Sequence, residues 1–145
     1  DVWALVSDVT RMGEWSPENL GADWISGAAG EVGARFRGRN RRGKASWSTT
    51  CEVVSATRGR VFAFAVGKMS KPDAVWRYEF TPLPDSRSRV SESYELPRPL
   101  GRFARLVTRV STGVTDREDD LEDGMRQTLQ RLAEAVREEG GAALR

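Results

Sequence analysis

The stretch AVWRYEF at residues 74–80 indicates the fold most directly. Trp76, Tyr78 and Phe80 fall on one side of a strand and Val75, Arg77 and Glu79 on the other, because successive side chains of a strand point to opposite faces. Runs with similar alternation occupy residues 45–55, 61–66 and 90–96, and shorter candidate strands occupy 22–26 and 34–39. The pattern predicts an antiparallel sheet with one apolar, largely aromatic face.

A long amphipathic helix is predicted at about residues 115–139. Its apolar residues recur every three or four positions, as the buried stripe of a helix does; they are Leu121, Met125, Leu129, Leu132 and Val136. Thr115 and Glu118 have capping-box spacing at its start, and Gly140-Gly141 are expected to end it. A curved sheet that wraps this one helix would enclose a cavity.

A hairpin is expected where residues 34–39 and 45–55 meet, around a turn bounded by Asn40 and Gly43. This register places Phe36 opposite Trp47, and it places Arg35 and Arg37 opposite Ser48 and Ser46. The segment also holds the basic run RFRGRNRRGK at 35–44, with six cations and no acid. A nucleic-acid hairpin is one interpretation. Since the arginines alternate onto one outer face, we expect a solvated face and no nucleic-acid partner.

Composition excludes several classes of protein. The 145 residues, 39% hydrophobic and 30% charged, predict a single globular domain over 1–145, and no apolar run approaches the ~20 residues of a membrane span. The single cysteine, Cys51, fits a reducing compartment, so a cytoplasmic location is expected. The chain has no histidine, which excludes Ser-His-Asp and Cys-His catalysis. No metal or other cofactor is expected.

Several segments of the sequence resemble the polyketide cyclase/dehydrase branch of the START-like superfamily (SRPBCC, the helix-grip fold of the birch-pollen allergen). They are VWALVSDVTRMGEWSPE at 2–18, GARFRGRN at 33–40, WSTTCEV at 47–53, WRYEF at 76–80 and DRxxxLxxGMRQTLxRL at 116–132. The resemblance implies an α+β helix-grip fold, in which a curved antiparallel sheet wraps around one long C-terminal helix. None of these segments is a catalytic signature.

Members of that family usually carry a strand before the first helix, and this sequence has no room for one. We therefore expect six main strands, a missing first edge strand and a longer natural chain. The strand at 90–96 should have one unpaired side, and a dimer through this open edge is one option. The sequence leaves the oligomeric state open.

The family resemblance also implies a ligand cavity lined by the inner aromatic residues. Its predicted lining comprises Phe36, Trp47, Phe64, Trp76, Tyr78 and Tyr94 from the sheet, with Met125 and Leu129 from the helix. Glu92 shares the inner face of its strand with Val90 and Tyr94, where burial would raise its pKa. The alternatives are that the aromatic residues only fill a core, and that Glu92 reaches water or pairs with an arginine.

Two functions of different class follow. The first is noncatalytic binding of a small hydrophobic molecule, aromatic or lipid-like, in the internal cavity. The alternative is a polyketide cyclase or dehydratase that uses Glu92 and Tyr78 for proton transfer. An enzyme needs two or more polar groups that converge inside the cavity, whereas a carrier needs one or none. Residues 100–112, apolar and rich in arginine, are predicted to form a lid, a contact with anionic lipid headgroups or a connecting helix.

Overall fold

The computed structural model describes residues 1–97 and 117–143. Helix α1 (Val2–Ser7) and a 3-10 helix (Val9–Glu14) precede the strands. The six strands are β1 (Asn19–Ser26), β2 (Arg35–Arg42), β3 (Ala45–Thr57), β4 (Val61–Lys68), β5 (Lys71–Leu83) and β6 (Arg87–Glu95), and helix α2 (Arg117–Ala143) follows them. The predicted helix at 100–112 and the capping residue Thr115 lie outside the described residues.

Each strand pairs with the next one along the chain, so the sheet is an antiparallel meander in the order β1 to β6. The six-stranded sheet and the C-terminal helix confirm the α+β helix-grip prediction. Strands β1 and β6 are the two ends of the sheet in the described part of the chain. The predicted strand at 90–96 therefore has a neighbouring strand on one side only there.

The predicted register of the β2–β3 hairpin is wrong. Phe36 lies opposite Cys51 instead of Trp47, and Arg42 lies opposite Ala45. The turn is thus the two-residue Gly43-Lys44, because Gly43 has a φ of +58° and a two-residue hairpin turn of the II′ type needs that conformation at its first position.

The observed register changes which residues lie opposite one another, but each residue remains on the face that was predicted for it. Trp47 now lies opposite Asn40, and Arg35 and Arg37 lie opposite Glu52 and Thr50. Since the shift in register is an even number of residues, Phe36 and Trp47 still share the inner face, and the arginines share the outer face.

Helix α2 supplies the core with two fully buried side chains, Leu132 and Thr128. Leu132 packs in one cluster with buried aromatic residues of β2, β4 and β5, and Val136 lies against the same cluster. The members of the predicted stripe other than Leu132 are half-buried: Leu121, Met125, Leu129 and Val136. The helix therefore closes the inner face of the sheet mainly along its second half.

The predicted end of this helix is wrong as well. Gly140 and Gly141 lie inside α2, which continues to Ala143, and neither glycine adopts the left-handed φ that would terminate the helix. Each glycine costs about 1 kcal/mol of helix propensity relative to alanine, which weakens a helix without breaking it.

Two ion pairs fix the course of α2 across the molecule. Asp120, near its start, binds Arg42 at the end of β2. Glu139, near its end, binds Arg11 of the 3-10 helix at 2.7 Å. Exposed ion pairs contribute only about 0–1 kcal/mol each to stability. Apolar burial therefore stabilises the packing of α2 more than these two ion pairs do.

Replacing Leu132 with Ala tests this assignment. The substitution should lower the free energy of unfolding by about 2–5 kcal/mol, because it leaves a cavity in the buried cluster. The exposed neighbour Gln130 provides the control, since Gln130→Ala should change stability by less than about 0.5 kcal/mol. Urea denaturation measures both, and equal effects of the two substitutions would contradict the proposed packing.

Candidate functional site

Cross-strand pairing places the inner side chains of β4, β5 and β6 in rows. One row consists of Phe64, Trp76 and Tyr94. The next row, two residues along each strand, consists of Phe62, Tyr78 and Glu92. A carboxyl group thus ends a row of aromatic rings on the face that α2 covers.

Tyr78 and Glu92 are directly hydrogen-bonded. The Tyr78 hydroxyl donates to Glu92 Oε1 at 2.7 Å, and only 5% of Tyr78 is exposed. The second carboxyl oxygen, Oε2, is buried and has no hydrogen-bond partner among the described residues. Because a buried polar atom without a partner costs about 1–3 kcal/mol, Oε2 is the atom of this site most in need of a ligand.

Burial dominates the acid–base properties of the pair. Desolvation raises the pKa of Glu92 from 4.5 to about 7, and the hydrogen bond from Tyr78 opposes part of this shift. The pKa of Tyr78 is raised well above 10 by its own burial and by the neighbouring carboxylate. At neutral pH, Glu92 is therefore divided between its protonated and ionised forms, while Tyr78 remains a hydrogen-bond donor.

The remaining predicted lining residues divide into two groups. Phe36 and Phe64 are buried in the core cluster, with ring centroids 5.1 Å apart. Trp47, Trp76 and Tyr94 are half-buried. The rings of Trp76 and Tyr94 are in contact, with centroids 4.5 Å apart. These three aromatic residues, like Met125 and Leu129 of α2, keep part of their surface exposed.

Sequence reasoning missed Asn19 and Asn40, which form a second polar group on the inner face together with Thr49. The Asn19 side-chain amide donates to Asn40 Oδ1 at 3.1 Å, and the Asn40 amide donates to Thr49 Oγ1 at 3.4 Å. Gly38 leaves room for this network, because a Cβ there would approach Asn19 Nδ2 to 3.3 Å. The sequence hypothesis had assigned Asn40 to a turn; the two-residue Gly43-Lys44 turn was the signal that would have placed it in a strand.

Trp24 was also absent from the predicted lining. Its ring meets the Phe36 ring edge to face, with centroids 5.6 Å apart. Bulges on either side of the paired segment Gly21–Trp24 make the pattern of β1 irregular, which obscured the face of this tryptophan in the sequence.

A separate groove of about 870 Å³ lies at the surface, between β3 and the turn that joins β4 to β5. Its lining surface is about equally polar and apolar, and the polar and charged residues include Arg35, Thr50, Glu52, Lys68 and Lys71. None of the predicted ligand-binding residues lines it. Because Thr49, Cys51 and Val66 also line it, the groove adjoins the inner face without including the predicted ligand-binding residues.

The order of elements and the aromatic inner face under α2 define a helix-grip protein. The sequence matches the family described as polyketide cyclase / dehydrase and lipid transport over residues 1–137. The chain belongs to this family. No curated protein matches the sequence.

Solved structures with low sequence identity share the fold. The di-domain ARO/CYC StfQ from the steffimycin biosynthetic pathway is 11% identical with a TM-score of 0.62, and the match covers 92% of this chain and 39% of StfQ. This chain thus spans less than half of that di-domain protein.

Two further structures match over most of both chains. SA2116 from Staphylococcus aureus, a protein of unknown function, is 12% identical with a TM-score of 0.65 and coverage of 97% and 86%. Major latex-like protein 151 from Panax ginseng is 15% identical with a TM-score of 0.58 and coverage of 90% and 84%. At these identities, the likeness extends to the fold alone.

Within residues 1–97 and 117–143, no helix is long and apolar enough to cross a membrane.

The raised pKa of Glu92 predicts a specific pH dependence of stability. Below pH 4.5 the carboxyl is protonated in both the folded and the unfolded chain. Between pH 4.5 and about 7 the unfolded chain releases this proton while the folded chain retains it. The free energy of unfolding should therefore fall by on the order of 3 kcal/mol over this range as the pH rises.

Glu92→Gln should abolish this component, so the difference in stability between wild type and variant should change with pH across that window. Glu95→Gln, at an exposed position on the opposite face of the same strand, should leave the wild-type profile intact. Urea denaturation at a series of pH values measures both. Parallel profiles for wild type and Glu92→Gln would show that burial does not perturb this carboxyl.

Proposed function

We propose that this protein binds a small hydrophobic molecule, aromatic or lipid-like, between the inner face of the sheet and α2. The observation that carries the proposal is the buried Glu92 Oε2, which lacks a partner among the described residues beside the Tyr78 hydroxyl. A ligand that supplied one hydrogen bond there would satisfy it. Half-buried Trp47, Trp76 and Tyr94 provide flat apolar surface for the rest of the ligand.

The protonation state of Glu92 determines which polar group the ligand should carry. The ionised carboxylate accepts a hydrogen bond from a hydroxyl, whereas the protonated acid donates to a carbonyl oxygen. With a pKa of about 7, both forms are present at neutral pH. The ligand class supported best is therefore a largely apolar molecule with one hydroxyl or carbonyl group at its buried end.

The pair also supports a second candidate function, cyclisation or dehydration of a polyketide-like substrate. Tyr78 donates to Oε1 and so leaves Oε2 to act as a base. Oε2 would take a proton from the carbon next to a substrate carbonyl, and the resulting enolate carbon would attack a second carbonyl carbon to form a C–C bond. Protonated Glu92 would then give its proton to the alkoxide oxygen formed at the second carbonyl, which yields a hydroxyl group and regenerates the carboxylate. For dehydration, Oε2 would remove a second proton from the carbon next to the first carbonyl and return it to this hydroxyl, which leaves as water while a C=C bond forms. A pKa near the working pH suits these proton transfers.

Native mass spectrometry of protein purified from its own host tests ligand binding. We expect a co-purifying apolar molecule that dissociates in organic solvent. Leu129→Trp should reduce its occupancy, because the larger side chain would fill space between α2 and the sheet. Gln130→Trp, at an exposed position on the same helix, should retain the ligand. Loss of the ligand from both variants, or from neither, would contradict the proposed location.

Glu92→Gln distinguishes the two functions, because glutamine keeps the shape and removes the titrating group. For a cyclase or dehydratase, turnover of a polyketide-like substrate should fall by ~100-fold or more. For a carrier, affinity for the co-purifying ligand should change by less than about 10-fold, since one hydrogen bond to an amide replaces one to a carboxyl. Turnover that is unaffected in Glu92→Gln would exclude the catalytic role of this residue.

A further inference from the structure

The outer face of the β2–β3 hairpin carries an arginine row. Arg35, Arg37, Arg39 and Arg41 occupy alternate positions of β2, and all four are exposed. Because a strand rises about 3.3 Å per residue, the row extends over about 20 Å. The residues opposite three of them on β3 are small and hydroxylated: Thr50, Ser48 and Ser46. These neighbours leave the guanidinium groups uncovered and add hydrogen-bond donors to the same face.

Few acidic groups neutralise this face. Asp23 binds Arg39, and Glu52 lies opposite Arg35. Neither Arg37 nor Arg41 has an ion-pair partner in the described part of the chain. These two guanidinium groups are therefore available to an external anion.

Charge is also distributed unevenly across the molecule. Residues 35–44 contain six cations and no acid, whereas residues 119–142 of α2 contain seven acids and three arginines. The net charge of the whole chain is only +2. An extended anionic surface would therefore attract the arginine row and repel the exposed side of α2, which fixes the orientation of approach.

Exposed aliphatic side chains flank the arginine row along β1 and the loop that follows it. Leu20 is 63% exposed, Ile25 49% and Val32 64%. Leu20 precedes Gly21, the partner of Arg39, and Ile25 precedes Ser26, the partner of Arg35. Basic groups beside exposed apolar groups are the composition that the interface of an anionic bilayer favours.

A single-stranded nucleic acid fits this face less well. Binding of single strands relies on aromatic side chains that stack on the bases. The aromatic residues of this part of the sheet, Trp24, Phe36 and Trp47, lie on the inner face, and the outer face between β2 and β3 offers arginine, serine and threonine.

We infer that the outer face of the β2–β3 hairpin docks on anionic lipid membranes through its arginine row, with Arg37 and Arg41 as the principal contacts. This surface is separate from the Glu92–Tyr78 site. The inference does not depend on the proposed ligand, and its test uses protein without added ligand.

Co-sedimentation with lipid vesicles tests the inference. The protein should bind vesicles of phosphatidylcholine with phosphatidylserine and should not bind phosphatidylcholine alone. Since each basic residue near an anionic surface contributes about 5-fold to the binding constant, Arg37→Gln/Arg41→Gln should weaken binding by about 30-fold. Wild-type binding should also fall steeply between 0.05 and about 0.5 M NaCl, because salt screens the attraction.

Arg131→Gln/Arg137→Gln is the matched control, because it removes the same charge from exposed positions on α2. It should bind anionic vesicles as the wild type does, and thermal unfolding should show that both double variants are folded. An equal loss of binding to anionic vesicles in the two double variants would overturn the inference. Wild-type binding to neutral vesicles that equals its binding to anionic vesicles would also overturn it. Tighter binding of a DNA oligonucleotide than of the vesicles, with the same dependence on Arg37 and Arg41, would overturn it in favour of a nucleic-acid surface.

Discussion

The inner face of the sheet must be covered, and in the described chain α1, the 3-10 helix and α2 share this cover. Trp3, Val9 and Trp15 lie in the same buried cluster as Leu132 of α2. Six strands spaced by about 4.8 Å span about 24 Å, whereas a helix with its side chains is about 10–12 Å wide. One helix can therefore seal only part of the face, even where the sheet curves around it. Leu132 marks the sealed part, where it is buried among the aromatic rings. Trp47, Trp76 and Tyr94 mark the part where apolar surface remains accessible.

Burial on the inner face gives Glu92 its unusual environment. A carboxyl group on the outer face would meet water or the arginine row, and burial would not raise its pKa. On the inner face it meets Tyr78, whose single hydroxyl can satisfy only one of the two oxygens. The outer face holds the arginines of β2, so they offer no counter-charge to this carboxyl. Its raised pKa follows from the same alternation that divides the two faces of the sheet.

The sequence was most informative where structure is local. Alternation along each strand assigned Tyr78, Glu92 and Trp47 to the inner face, because the period of a strand depends only on neighbouring residues. It did not show that Tyr78 and Glu92 lie opposite each other, because that depends on the pairing of β5 with β6. The β2–β3 register failed for the same reason. A glycine with positive φ placed that turn at Gly43-Lys44, and Asn40 became part of the inner face.

The two polar groups of the inner face differ in what they can do. Asn19, Asn40 and Thr49 bind one another and carry no titrating proton, so they suit a structural role or a hydrogen bond to a bound ligand. Among the described residues Glu92 has one hydrogen-bond partner, and its second oxygen has none, an arrangement that costs stability. A glutamine at this position would have been neutral at every pH, and a leucine would have packed without a polar penalty. A costly ionisable group that improves neither packing nor pairing is typical of a binding or catalytic site, where function offsets the loss of stability.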